Sequence, residues 1–204
     1  MSTLFVASDG QPRCRWAGTA PDFIEYHDGE WGFPVGDDRT LFEKICLEAF
    51  QSGLSWRTIL TKRENFRQAF HNFEIDRVAR FNSRSVERLL QDEGIVRNRG
   101  KIEAVINNAR RARELIQEYG SLGAFLWSYE PAEPLCEPQT VSVTPESKAL
   151  AKELKRRGWK FVGPTTIYAF MQAMGLVNDH AIGCVSRPRV EAARAKFERP
   201  SPTP

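Results

Sequence analysis

Apolar positions along the chain recur at intervals of three and four, so the elements they predict are helices. Over 38–50, Leu41, Phe42, Ile45, Cys46, Ala49 and Phe50 follow a capping aspartate and mark one helix. The stretches 55–70 and 85–90 read as further helices, and Ile102, Val105, Ile106 and Ala109 mark another. Residues 147–157 form a helix with a basic face, and Gly163 and Pro164 open a last one that runs to Met174, proline being suited to a first helical turn. Strand-like alternation is confined to 140–144, too short and isolated to build a sheet, within a proline-rich loop over 130–145. The pattern predicts an all-α fold in one unit over 12–188, with flexible tails at 1–11 and 189–204.

Composition narrows this picture little. With 204 residues, 41% hydrophobic and 27% charged, the chain is long enough for its own core and unlike a disordered one. No apolar run approaches the roughly 20 residues of a membrane span, and the first residues lack the features of a secretory signal, so a cytoplasmic location is expected. The net charge of +3 permits a nucleic-acid partner without requiring one.

The rarer residues are more informative. Cysteines stand at 14, 46, 136 and 184, and histidines at 27, 71 and 180. Cys14 precedes His27 across a loop-like stretch, while His180 and Cys184 share a spacing that puts both on one face of a helical turn. Two sulfurs and two imidazoles make a closed tetrahedral shell suited to zinc, with no position left for water, so such a site would be structural. The alternative is that the cysteines are small buried hydrophobes and the histidines ordinary polar residues. Cys46 falls on the apolar arc of its helix and reads as core; Cys136 has no histidine nearby, and His71 reads as solvent-facing.

The first 60 residues are rich in aromatics: Trp16, Phe23, Tyr26, Trp31, Phe33, Phe42, Phe50 and Trp56. Most such residues build core, but Trp16, Tyr26 and Trp31 flank the candidate ligands in a segment without clear periodicity, where they could line a pocket. Glu48 lies about 20° from Leu41 and about 60° from Ile45 around its helix. It therefore borders the apolar arc, either as a rim residue or as a buried acid. A carboxylate in an aromatic cage would suit a flat cationic ring.

Between two predicted helices lies the stretch Gly94-Ile95-Val96-Arg97-Asn98-Arg99-Gly100-Lys101. Gly94 could end the first helix in a left-handed conformation, and Gly100 could let the second begin with exposed amides that bind anions. With Arg97, Arg99 and Lys101, this would grip a DNA backbone; an ordinary helix turn with solvated charges is the alternative. Gly53 and Leu54 could enter a duplex as a wedge.

These pieces together resemble the DNA-3-methyladenine glycosylase I family of the helix-hairpin-helix superfamily. The matching stretches include Cys14-Arg15-Trp16, Tyr26-His27-Asp28-Gly29-Glu30-Trp31-Gly32, Leu47-Glu48, Gln51-Ser52-Gly53-Leu54-Ser55-Trp56, the hairpin, Lys155-Arg156-Arg157-Gly158-Trp159-Lys160-Phe161-Val162-Gly163-Pro164-Thr165, and Asn178-Asp179-His180 through Cys184. The resemblance implies a helix-hairpin-helix fold whose terminal segments are joined by one structural Zn2+ on Cys14, His27, His180 and Cys184. It implies that Glu48 hydrogen-bonds an extruded base, with Tyr26 and Trp56 bonding to or stacking on it and Trp16 and Trp31 as aromatic walls. Phe23 stands where the family pattern suggests tyrosine, and Phe50 and Ser52 also depart from it.

The implied reaction is hydrolytic excision of 3-methyladenine from alkylated double-stranded DNA by a monomer, after the base has left the stack. Residues 102–120 carry Glu103, Glu114 and Glu118 but no aspartate to stabilise an oxocarbenium ion, and Lys101 is a poor Schiff-base candidate. A monofunctional hydrolase without lyase activity is expected. A damage-binding module and a small-molecule zinc hydrolase are the competing readings; the acid in its cage argues against the first, and the closed shell against the second.

Overall fold

The computed structural model describes residues 3–133 and 137–202. Two short antiparallel strands open the chain, β1 (Leu4–Val6) and β2 (Pro12–Cys14), with Leu4 opposite Cys14. A 3-10 turn over Arg15–Thr19 leads into α1 (Phe23–Gly29). There follow α2 (Asp38–Gln51), α3 (Trp56–Thr61), α4 (Arg63–Ala69), a 3-10 turn at His71–Phe73, α5 (Ile75–Ala79), α6 (Ser83–Leu90) and α7 (Arg99–Tyr119). The second half adds α8 (Leu122–Trp127), α9 (Pro145–Arg156), α10 (Pro164–Ala173) and α11 (Ser186–Lys196). The fold is mostly helical, as the periodicity predicts, and no helix among the described residues is long and apolar enough to cross a membrane.

The central element is α2. Asp37 caps it, its carboxylate accepting from the Thr40 N–H at 2.8 Å. Helices α3, α7, α8 and α10 pack around it, and every residue from Leu41 to Phe50 is buried. Charged residues inside such a helix need partners. Glu43 finds Arg67 of α4 at 2.7 Å, and Lys44 and Glu48 find each other.

The structure departs from the pattern in several places. The stretch 55–70 is two helices, broken at Lys62 (φ −96°, ψ 0°). The Lys62 ammonium donates to the carbonyls of Glu93 (2.9 Å) and Gly94 (3.3 Å), tying the break to the hairpin. Helices α1, α5 and α8 are only five to seven residues long, and α8 is buried on all sides, so neither periodicity nor amphipathicity marks them.

The segments expected as tails make contacts over their described residues. In the first, β1 pairs with β2; in the second, α11 buries Val190 completely. Beyond α11, Phe197 packs on Trp127 with ring centroids 4.7 Å apart, and Arg199 joins Arg194 in pairing with Glu130. Three-residue strands are too short for a period of two to show, and the prolines that stop the C-terminal helix lie beyond its docked part.

Candidate functional site

The chain ends meet around Cys14, His27, His180 and Cys184, all buried, with their ligand atoms within 4.8 Å of one another. Cys184 Sγ lies 3.5 Å from His27 Nε2 and 3.6 Å from His180 Nδ1; Cys14 Sγ is 3.6 Å from His180 Nδ1, and the two ring nitrogens are 3.2 Å apart. Strand β2 delivers Cys14 and α1 delivers His27. The expectation that His180 and Cys184 share a helical turn is corrected: they flank a tight turn in which the Cys184 N–H bonds the Ala181 carbonyl at 3.0 Å and Gly183 takes φ +86°.

Each imidazole is oriented by its other nitrogen, as metal-binding histidines are. His27 Nδ1 donates to Asp28 Oδ1 at 2.7 Å, and His180 Nε2 donates to the Trp31 carbonyl at 3.0 Å. Burial pushes the Asp28 carboxyl up, but Arg13 and His27 outweigh it and hold it below its usual value. This cluster could hold a metal ion.

Beside it lies a cavity of about 390 Å³ whose lining includes Trp16, Phe23, Tyr26, Trp31, Glu48 and Trp56. All six base-binding candidates are thus brought together. Trp16 is the hub, its ring 5.7 Å from Phe23, 6.2 Å from Tyr26 and 5.1 Å from Trp31, while Tyr26 and Trp56 lie 5.4 Å apart. Trp31 also meets the His180 ring edge-on at 4.7 Å, so the metal cluster and the pocket share a wall. Glu48 is only 6% exposed, a buried acid and not a rim residue. The buried Trp56 Nε1–H has no hydrogen-bond partner among the described residues.

Sequence reasoning missed Gln51, Gln139, Val141, Ala169, Gln172 and Asp179 of the lining, and Lys44 behind it. Asp179, next to a ligand histidine, is a second carboxylate in the lining, held by the Gln139 N–H at 2.7 Å and the Gln172 amide at 2.5 Å. Gln51, at the end of α2, also lines it. Lys44 contacts three wall residues without lining the cavity itself: its ammonium is 3.2 Å from Glu48 Oε1, donates to the Tyr26 hydroxyl at 2.5 Å, and sits 3.6 Å from the Trp56 ring centroid. The i, i+4 spacing of Lys44 and Glu48 was the available signal.

The hairpin is built differently from the sequence expectation. Gly94 does not adopt a left-handed conformation; a Cβ there would meet Asp92 Oδ1 at 2.9 Å and the Asn65 Cβ at 3.0 Å, so close approach requires the glycine. The amide two residues after the start of α7 is already taken, since the Asn98 side chain caps the Lys101 N–H at 3.1 Å. Arg97 and Arg99 are exposed but pair with Glu93 (3.5 Å) and Glu87 (2.7 Å) respectively, and Gly100 is exposed.

Lys101 is corrected as a phosphate ligand. It is buried, and its ammonium donates to the carbonyls of Phe50 (2.9 Å) and Ser52 (2.6 Å), where α2 ends before the Gly53 turn. Gly53 there has φ +79°, and Leu54 is 41% exposed. Lys101→Met is expected to lower stability by about 1–3 kcal/mol through two under-satisfied carbonyls, read by thermal melting. It should leave the salt dependence of DNA binding unchanged, whereas loss of a phosphate contact would reduce the log–log slope by about one.

Comparisons with known proteins show the family. The family model described as methyladenine glycosylase matches residues 16–187. The chain is 50% identical over 181 residues to DNA-3-methyladenine glycosylase 1 of Escherichia coli K12, covering 86% of this chain and 97% of that protein. It superposes with a TM-score of 0.81 on a crystal structure of 3-methyladenine DNA glycosylase I at 51% identity, covering 86% of this chain and all of the other. A Tyr-to-Phe variant of 3-methyladenine DNA glycosylase I, solved in complex with 3-methyladenine, matches with a TM-score of 0.81 at 37% identity, over 86% and 97% of the two chains. The chain belongs to the methyladenine glycosylase family.

Proposed function

We propose that this chain hydrolyses the N-glycosidic bond of 3-methyladenine in alkylated double-stranded DNA and leaves an abasic site, with residues 12–188 as the catalytic unit. The observation that carries this reading is Glu48, a buried carboxylate opening onto an aromatic cavity beside the unpaired Trp56 N–H. Methylation at N3 makes the base of the intact nucleoside a cation. When the bond breaks, the electron pair leaves with the base, which departs neutral, and water supplies the hydroxyl that remains on the sugar. The base is thus a good leaving group that needs little acid catalysis. The pocket's work is to admit the flipped ring, stack it, and favour its charge and edge.

Access to the bond requires extrusion of the nucleotide, for which Gly53 and Leu54 are the candidate wedge and the α6–α7 hairpin the candidate grip. Arg97, Arg99 and Gly100 are exposed there; Arg97 and Arg99 would exchange their glutamate partners for phosphates. Phe161, 42% exposed at φ +56° and next to Gly100, adds an aromatic edge to this surface. The Lys101 amine is occupied by two carbonyls, which supports hydrolysis without a Schiff base and hence without lyase activity.

The buried cluster is read as one structural Zn2+. A tetrahedral zinc with sulfur at about 2.3 Å and nitrogen at about 2.05 Å requires S–N edges of about 3.5 Å and an N–N edge of about 3.3 Å. Three of the four S–N separations, at 3.5–3.6 Å, and the N–N separation of 3.2 Å match those edges, and all four ligand atoms lie within 4.8 Å of one another. Four protein ligands leave no open position, so the ion would join β2 and α1 to the 180–184 turn. A monomer working in the cytoplasm completes the reading.

The test is incubation of the metal-loaded chain with methylated duplex DNA and chromatography of the released bases. Free 3-methyladenine is expected, with strand breaks appearing only after alkali. Absence of free base would refute the glycosylase reading, and breaks without alkali would refute the monofunctional one.

A further inference from the structure

A lysine sits against the wall of a pocket proposed to bind a cation, and its geometry gives it a task. The Lys44 side chain is 6% exposed and that of Glu48 5%, with Nζ and Oε1 3.2 Å apart. Lys44 meets Glu48 at Oε1, and the Glu48 side chain also lines the cavity. An ammonium has no lone pair, so the Tyr26 oxygen must accept from it at 2.5 Å, leaving the Tyr26 proton to point elsewhere. The indole face of Trp56 at 3.6 Å supplies further stabilisation of the ammonium.

We propose that Lys44 is a positioning residue: by holding one oxygen of Glu48 and the Tyr26 oxygen, it keeps Glu48 ionised in the empty pocket and presents the other oxygen and the Tyr26 O–H to the base. This rests on the reading of Glu48 as the base-binding acid. Without a counter-charge, a carboxylate buried this deeply would be driven to its neutral form. Burial holds the Glu48 carboxyl above its usual range, with Lys44 limiting the rise, and holds the Lys44 amine below its usual range, with Glu48 limiting the fall. The other charged groups nearby are Glu30, just after α1, and Arg63 of α4, paired at 2.5 Å, and Asp179 in the cavity lining. The first two carry opposite charges and Asp179 is negative, so Lys44 is the cation that touches Glu48.

The sign of the pH effect follows. Activity that needs ionised Glu48 is lost as pH falls through that group's pKa. Removing a positive charge at this distance raises the pKa by about one to three units, so the acid limb moves to higher pH. A lysine serving only as packing would change stability and overall rate without moving this limb.

The experiment titrates the Glu48 carboxyl by ¹³C NMR in the substrate-free, metal-loaded full chain, assigning the signal by its loss in Glu48→Gln. Wild type should show an ionised carboxylate at neutral pH. Lys44→Met should raise the midpoint by about one to three units and shift the acid limb of base release equally, while Lys44→Arg, which keeps the positive charge, should raise it by less than Lys44→Met. A neutral Glu48 at pH 7 in wild type overturns the proposal even if Lys44→Met does not fold, as does an unmoved midpoint in a folded Lys44→Met. The titration needs no turnover, so it stands apart from the glycosylase assay: an inactive wild type with the expected midpoints would refute the proposed reaction and leave the pairing intact.

Discussion

Replacing Glu48 by glutamine is expected to slow release of 3-methyladenine from methylated duplex DNA by at least about 100-fold, the scale on which loss of one preorganised electrostatic contact acts. The geometry gives the reason. Glu48 lines a cavity together with Trp16, Phe23, Tyr26, Trp31, Trp56 and a second carboxylate, Asp179, and Lys44 meets it at Oε1. Glutamine keeps the shape and removes the charge, so the loss reads recognition of a cation and not packing. The substitution also leaves the Lys44 ammonium without its counter-ion, and breaking one side of a buried pair costs about 3–5 kcal/mol. The double variant Glu48→Gln/Lys44→Met removes that penalty. It should melt at a higher temperature than Glu48→Gln and remain as inactive, while recovery of activity in the double variant would show that the single one failed through misfolding.

Loss of the metal is expected to be the largest perturbation of stability. Apparent binding energies of structural zinc in small domains are about 10–16 kcal/mol, comparable with the whole stability of a typical domain, about 5–15 kcal/mol. In this fold the candidate ligands come from positions 14 and 27 on one side and 180 and 184 on the other, so loss of the ion leaves β2 joined to this turn by the Val185 N–H on the Pro12 carbonyl and the Ala181 N–H on Cys14 Sγ. It also leaves two buried cysteines and two buried histidines facing each other with nothing between them. Even a net loss of about 5 kcal/mol would lower the Tm by about 10–20 °C in a chain this size. Cys184→Ser, or chelator applied during partial unfolding, should give such a drop. Elemental analysis of the intact chain should give one zinc per molecule. A metal-free chain that melts normally would remove the cluster from the account.

How much of this the sequence carried depends on how local each signal was. Helix α2 was legible because its cap and its apolar spacing lie within 14 residues, and Glu48 stood out as an acid on the apolar arc of that helix. The metal quartet was legible because the chain has so few cysteines and histidines, although the turn that carries His180 and Cys184 was mistaken for a helix. What was lost depends on tertiary packing. Lys44 looks like an ordinary helix lysine until α1 and Trp56 close over it. Lys101 looks like a phosphate ligand until the end of α2 supplies two carbonyls for it. Asp179 joins the pocket only because the segment around Gln139 and helix α10 with Gln172 fold onto it. Charge patterns alone do not tell which side chains turn inward, and in this protein two of the decisive lysines do.

The most direct measurement is the structure of the metal-loaded chain bound to 3-methyladenine. The account predicts the purine in the aromatic cavity, on the Trp56 face away from Lys44, with a base N–H about 2.9 Å from a carboxylate oxygen of Glu48. A purine bound outside that cavity, or inside it with Glu48 touching only Lys44, would contradict it.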